Sequence, residues 1–268
     1  MSKRFRLVFA SLSLLLLLAV LPGQTKVKNL KDSAVGIWLF EGDAQDASGN
    51  NNHGTLEKGA TFSDSGKVGK ALSLDGKDDY VSVKSSSSLD SAAKQATIMA
   101  WIKFDKPGKQ RNQCCFDDQF VVGYVGWKNL LNVFGAGRNT NQGKVEIGSG
   151  QLKPSWSSSP KSVNDNKWHH LAFAYDGKKK LLYIDGEVDI DKAATGEFGV
   201  KGVNVIIGGA VTERFAMGLI DEVAIFNTAL TANDVKGIIK GGMASVLGTT
   251  AVSPKGRLTT TWSSIKSQ

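Results

Sequence analysis

The stretch "KWHHLAFAYDGKKKLLYIDGE", Lys167–Glu187, decides the fold class. Two short apolar runs, Leu171–Tyr175 and Leu181–Ile184, are joined at Asp176-Gly177, and the second closes on Asp185-Gly186. Asp-Gly pairs between short apolar runs mark antiparallel hairpins, because these residues tolerate the positive φ that tight turns need. The triple lysine 178–180 then falls at a hairpin tip and reads as a solvated turn. Adjacent histidines on a strand point to opposite faces, so His169 and His170 do not converge on one metal, and one of them packs inward with Trp168.

The same grammar extends in both directions. "KALSLDG" (70–76) and "DYVSVK" (79–84) alternate apolar and polar residues through Ala71, Leu72, Leu74, Tyr80, Val81 and Val83. Such alternation belongs to strands with one buried face. "ATIMAWIKF" (96–104) is longer and more apolar, as a central strand is. "QFVVGYVG" (119–126) and "NLLNVFGAG" (129–137) pair across Trp127-Lys128. "AVGIWLFEG" (34–42), "KVEIGSG" (144–150), "VNVIIGGA" (203–210) and "GLIDEVAIFNTAL" (218–230) are further strands. One segment reads as a helix, "LTANDVKGIIKGG" (230–242). Thr231 caps it with Asp234 in capping-box position, Val235, Ile238 and Ile239 form its apolar stripe, and Gly241-Gly242 end it. About a dozen short strands at regular spacing with one late helix make an all-β, two-sheet antiparallel sandwich or jelly roll.

The 268 residues carry 30 glycines and 5 prolines, with 41% hydrophobic and 22% charged residues, an ordinary balance for a globular chain. The net charge is +8, from 33 Lys+Arg and 25 Asp+Glu. The cations are scattered without the basic stripe and interleaved aromatics of a nucleic-acid site. At the start, "MSKRFRLVFASLSLLLLLAVLPGQT" has a basic lead of Lys3, Arg4 and Arg6 and an apolar run from Leu7 to Val20. That is the layout of a secretory signal peptide, read here as residues 1–24, with an uncleaved N-terminal anchor as the alternative. Removal of that segment leaves 8 − 3 = +5. No later segment is apolar enough to span a membrane. The jelly-roll domain is expected over 34–242, followed by a Ser/Thr-rich tail, 243–268. The two cysteines, Cys114 and Cys115, are adjacent. Three readings stand for them: a vicinal disulfide, two free thiols, or an intermolecular link.

"WLFEGDAQDASGNNNHGTL", "GKALSLDGKDDYVSV", "ATIMAWIK", the opening stretch and "GLIDEVAIFNTALTANDV" occur in this order over 34–242. Together they resemble the laminin-G-like, concanavalin A-like jelly-roll domain of secreted bacterial proteins. The resemblance implies two antiparallel sheets face to face, one of them concave. It also implies recognition of carbohydrates, glycoproteins or other proteins more often than catalysis, although related folds include glycoside hydrolases. It further implies one structural Ca²⁺ where the first strand region meets the late "IDEV" strand.

Ca²⁺ takes six to eight oxygens. Glu41, Asp46 and Asp221 are the expected ligands, with Asp43, Asn50 and Asn52 as weaker candidates. An Asp in an apolar strand is costly to bury unless it is paired or metal-bound, which singles out Asp221. The competing reading is that "DASGNNNHG" (46–54) satisfies its own backbone. For ligand binding, Trp127 and Arg138 are expected to supply the aromatic platform and a polar group. Trp38, Trp101 and Trp168 are expected in the core, and Trp156 on an exposed loop. Asp185, Glu187, Asp189 and Asp191, spaced by two, form the one catalytic-looking pattern. A retaining glycosidase needs two carboxylates about 5 Å apart, whereas these are expected at a hairpin tip. The sequence therefore reads as a secreted, non-catalytic module for a glycan or extracellular protein, stabilised by Ca²⁺. A glycoside hydrolase and a structural surface or adhesion component are the alternatives.

Overall fold

The computed structural model describes residues 29–104, 119–124, 129–133, 143–209 and 214–248. A single helical turn, α1 (Leu30–Ser33), leads into β1 (Ala34–Trp38), β2 (Gly54–Glu57), β3 (Thr61–Ser63), β4 (Ala71–Asp75) and β5 (Tyr80–Val83). A second turn, α2 (Ser87–Asp90), precedes β6 (Ala96–Phe104), β7 (Gln119–Tyr124), β8 (Asn129–Val133), β9 (Lys144–Gly148) and β10 (Trp156–Ser162). Then come β11 (His169–Tyr175), β12 (Lys179–Ile184), β13 (Glu187–Ala193), β14 (Val205–Ile207), β15 (Met217–Phe226) and α3 (Ala232–Leu247).

The strands form two sheets. Sheet A has the order β13-β12-β11-β6-β15-β4-β3, with β1 also on β15; sheet B runs β10-β9-β8-β7-β14-β5-β2. The strand pairings are antiparallel. The β11–β12 hairpin turns at Asp176-Gly177, as expected, and the β12–β13 hairpin turns at Asp185-Gly186 with φ of 53° and 83°. Two successive positive φ values match the right-handed twist of the flanking strands. β7 pairs with β8 in the expected hairpin.

Alternation explains the sandwich core. Leu72 and Leu74, Val81 and Val83, Ile98 and Ala100, Leu171 and Phe173, and Ile220 and Ile225 meet between the sheets. A second apolar layer lies on the outer face of sheet A, where Met99, Ala172, Ala174, Tyr183, Ala224 and Phe226 meet Val235 and Ile238 of α3. The alanines let the helix approach closely, and burying each Val or Ile contributes ~1.5–3 kcal/mol. β6 is therefore apolar on both faces. The capping box at Thr231 forms as the sequence implies: Asp234 N–H donates to Thr231 Oγ1 at 3.2 Å, and Thr231 N–H donates to Asp234 Oδ2 at 2.8 Å.

Some expectations are corrected. The helix breaks at Gly241-Gly242 as expected, since Gly242 leaves helical geometry (φ 66°, ψ 179°), but a further helical turn with buried Met243 and Val246 follows it. Lys180 is not a solvated tip residue. It is fully buried, and its ammonium donates to Pro154 O and Ser155 O at 2.8 and 3.2 Å. Burial lowers its pKa to about 8, with Lys192 adding to the effect. Trp156 opens β10 and packs against the Phe120–Ile206 pair instead of standing on a loop. Trp38 is fully buried as expected, whereas Trp168 is only half-buried.

Candidate functional site

The loop 46–54 is organised by one carboxylate. Asp46 Oδ1 accepts the N–H groups of Ile37 and Ser48 at 3.0 and 2.8 Å. Its Oδ2 accepts Ser48 Oγ–H and Asn52 N–H, each at 2.9 Å. Each carboxylate oxygen offers two lone-pair directions, so these four donors exhaust Asp46. The Asn52 amide donates to Val35 O and Ser88 Oγ, and the Asn50 amide to Ala34 O. Asp43 closes a local turn by accepting Gln45 N–H. Asp46, expected as a metal ligand, is thus spent on ordering its own loop against β1.

Glu41 and Asp221 behave differently, and a third carboxylate joins them. β15 carries a bulge between Asp221 and Ala224, where Glu222 adopts φ +48°. A non-glycine residue in the left-handed region is uncommon and costs of order 1–3 kcal/mol. The bulge lets both acids reach partners on the outer face of sheet A. Asp221 Oδ2 accepts Lys67 and Val68 N–H at 2.8 and 3.0 Å, and Glu222 Oε2 accepts Met243 N–H at 2.7 Å. Glu41 Oε2 accepts Lys70 N–H at 3.1 Å. The loop 64–70 is thus held from two sides by carboxylates. Burial raises the pKa of all three: Asp221 to about 7, with the charge of Glu222 adding to it, and Glu222 further through the charge of Glu41. Glu222 could not be found by pattern, since on a regular strand it would face away from Asp221. Among the described residues, only Asp75, Asp78 and Asp79 bring three ligand oxygens within 4.8 Å. Of these, Asp79 already accepts Gly59 and Asp75 N–H.

Beside Asp221 on the same face stands Trp101, its register partner on β6, with His170 next on β11. The Lys67 ammonium lies 4.0 Å above the Trp101 ring centre, and the His170 ring meets Trp101 edge-on at 5.2 Å. Trp101 is therefore buried, but beneath a loop outside the sandwich core. His170 is fully buried and neither ring nitrogen has a hydrogen-bond partner. Burial lowers its pKa to about 4; Asp185 opposes this and Lys67 reinforces it. His169 turns the other way and pairs with Asp185 and Asp165 at 2.8 and 3.1 Å.

Of the acidic series at 185–191, expected at a hairpin tip, only Asp185 lies at the turn; Glu187, Asp189 and Asp191 run along the edge strand β13 of sheet A, and the Asp189 side chain is buried. Three members pair with separate lysines, Glu187 with Lys236, Asp189 with Lys161, and Asp191 with Lys179, at 2.8–3.3 Å, while Asp185 meets the His169 ring at 2.8 Å. Four acids each matched to a separate base do not form a carboxylate pair around a shared groove. Trp127, Arg138, Cys114, Cys115, the segment 1–24 and the tail beyond 248 lie outside the described residues. No helix among the described residues is long and apolar enough to cross a membrane.

Two antiparallel sheets packed face to face, with a bulged acidic strand beside the first-strand loop, define a lectin-type jelly roll. The chain belongs to the concanavalin A-like lectin/glucanases superfamily, whose laminin-G family model matches residues 75–236. No curated protein sequence matches it. Among solved structures it is similar to domain 4 of AbnA, a GH43 extracellular arabinanase from Geobacillus stearothermophilus, in complex with arabinotriose. That match has 21% identity and a TM-score of 0.58, covering 77% of this chain and 98% of that one. It is also similar to the receptor binding domain of botulinum neurotoxin C/D mosaic serotype, with 14% identity and TM-score 0.61, covering 80% and 52% of the two chains. The binding domain of Paraclostridial Mosquitocidal Protein 1 matches at 16% identity and TM-score 0.53, covering 78% and 52%. The chain spans about half the length of these two toxin domains.

Proposed function

We propose that the chain is a secreted, non-catalytic recognition module for carbohydrate, with a fold stabilised by Ca²⁺. The observation that carries the non-catalytic reading is that Asp185, Glu187, Asp189 and Asp191 on an edge hairpin each engage a different partner side chain. A glycosidase requires two carboxylates facing one bound sugar. The carbohydrate reading is supported by the superfamily and by the arabinotriose held by the AbnA domain. An extracellular protein ligand is the second reading, favoured by the toxin receptor-binding domains of the same fold. Secretion rests on the basic, then apolar, first 24 residues.

For the cation, Glu41, Asp221 and Glu222 are the candidates at the strand junction, and a bound ion would have to draw them together, since their oxygens do not lie within 4.8 Å of one another as those of Asp75, Asp78 and Asp79 do. The three junction acids supply hard carboxylate oxygens and are desolvated, and the charge of Glu222 raises the pKa of Asp221 as the charge of Glu41 raises that of Glu222. Bound Ca²⁺ would offset that mutual repulsion and lock the loop 64–70 onto β15. A glycan array probed in Ca²⁺, with a parallel assay for released sugar, tests the function. Binding without hydrolysis is expected, and hydrolysis at enzymatic rates would overturn the reading.

A further inference from the structure

Register divides the outer face of sheet A into three bands. The first, Met99, Ala172 and Ala224, lies beneath α3. The second, His170, Trp101 and Asp221, lies beneath the loop 64–70. The third runs Lys103–Leu219–Ser73–Thr61 across β6, β15, β4 and β3. Its Lys103, Leu219 and Ser73 line an open groove of about 490 Å³, a size within the range of small-ligand clefts.

The lining of this groove has three chemical parts. Leu219 and Met217, the latter 44% exposed, give an apolar floor. Ser65, Ser73 and Asn166 bring two hydroxyls and an amide. Lys103 brings an ammonium that no carboxylate or carbonyl among the described residues engages. The one carboxylate of the lining, Asp75, is paired with Lys77 at 2.6 Å and has Asp78 and Asp79 beside it. The groove therefore presents, at its Lys103 end, one ammonium outside any ion pair, with several hydrogen-bonding groups and an apolar strip beside it.

A neutral apolar ligand would leave the ammonium and hydroxyls unpaired, at a cost in affinity. A bare anion would leave the strip uncovered. An acidic sugar meets all three, with its carboxylate on Lys103, its hydroxyls on the serines and Asn166, and its C–H face on Leu219 and Met217. We propose that this groove is the site for a short uronate-bearing oligosaccharide. The proposal rests on the reading of the chain as a carbohydrate-recognition module and adds the site and the ligand class.

Titration calorimetry on the full chain with trimers of galacturonate, glucuronate and mannuronate, beside neutral maltotriose, tests it. At least one uronate trimer is expected to bind, more weakly as salt rises, and maltotriose is expected to bind at least tenfold more weakly. Lys103→Ala should weaken uronate binding about tenfold or more, the scale of a lost charge-assisted hydrogen bond, while Lys103→Arg retains it. Ser73→Trp, which fills the groove from an open strand face, should abolish binding with the thermal midpoint unchanged. If the array finds a glycan but Lys103→Ala and Ser73→Trp leave its affinity intact, the groove is overturned and the recognition reading survives. If neither the array nor any uronate trimer gives binding, both fall.

Discussion

Glu222 Oε2 accepts the backbone N–H of Met243 at 2.7 Å, so the bulge of β15 caps the helical turn that follows the Gly242 kink. Two irregularities that look separate in sequence, a left-handed glutamate and a glycine inside a helix, are one joint. The acid that caps the turn is also desolvated next to Glu41 and Asp221, so the charge state of this cluster bears on how the end of α3 is seated on sheet A.

Calcium should therefore act on the whole domain. A cation that binds the folded state alone at a hundredfold excess over Kd adds about 2.7 kcal/mol. For a domain of this size that is roughly 5–10 °C in the unfolding midpoint. EDTA is expected to lower the midpoint by that amount. Asp221→Asn should abolish the response and also lower the midpoint measured in EDTA, because its amide nitrogen cannot accept the N–H groups that now reach both carboxylate oxygens. An unchanged midpoint with and without EDTA in the unsubstituted chain removes the cation from the account.

Gly69 tests whether Glu41 belongs to the same cluster. It has φ +58°, and a Cβ there would collide with both Glu41 carboxylate oxygens. Gly202 has a similar φ of +67° with nothing within 4 Å. Gly69→Ala and Gly202→Ala should each lose about 1–3 kcal/mol to backbone strain. Only Gly69→Ala should also blunt the Ca²⁺ response. Equal Ca²⁺ responses in the two variants would remove Glu41 from the site.

His170 sets an acid limit. Its folded pKa of about 4 lies below the ordinary 6.5, so the unfolded chain binds the extra proton first as pH falls. Stability is then lost between about pH 6.5 and 4, by roughly 3 kcal/mol. Asp221 contributes the opposite slope, since its pKa is raised to about 7 and its stabilisation is lost as pH rises from about 4 to 7. The difference between the unsubstituted chain and His170→Phe isolates the histidine. That variant should flatten the acid slope at no cost at neutral pH, because neither ring nitrogen gives up a bond. Identical acid slopes in chemical denaturation would show that His170 charges in the folded state.

Thr231→Ala should cost ~1 kcal/mol through the lost capping box, while sparing the Ca²⁺ response. An equal loss of Ca²⁺ response would mean that the first half of α3, and not only the turn after Gly242, is coupled to the acids.

What could be read from sequence follows from periodicity. The hairpins at 176–177 and 185–186, the central β6 and the helix start at Thr231 are local patterns, and each appears in the structure. The acidic 185–191 series was legible as a hairpin because Asp-Gly fixes the turn. Departures from a repeat were not legible. The bulge that brings Glu222 beside Asp221 depends on β1 and β4 sharing one edge of β15, a long-range arrangement. Burial of Lys180 depends on carbonyls twenty-five and twenty-six residues away. Asp46 has the composition of a cation ligand, and only its four donors show that the loop consumes it.

The pairing of β1 with β15 sets Ala34 opposite Phe226, so the strand that opens the domain lies against the one that leads into its last helix. Tension applied to these two strands from their adjoining ends would act across the ladder, not along it. Once α3 has lifted away, the hydrogen bonds between them would break in succession, as in a zipper. Such a joint is mechanically compliant. A module built this way yields at modest load from its terminal corner, while the groove on β3, β4, β6 and β15 lies toward the opposite end of sheet A and keeps its shape until the shared strand itself is drawn out.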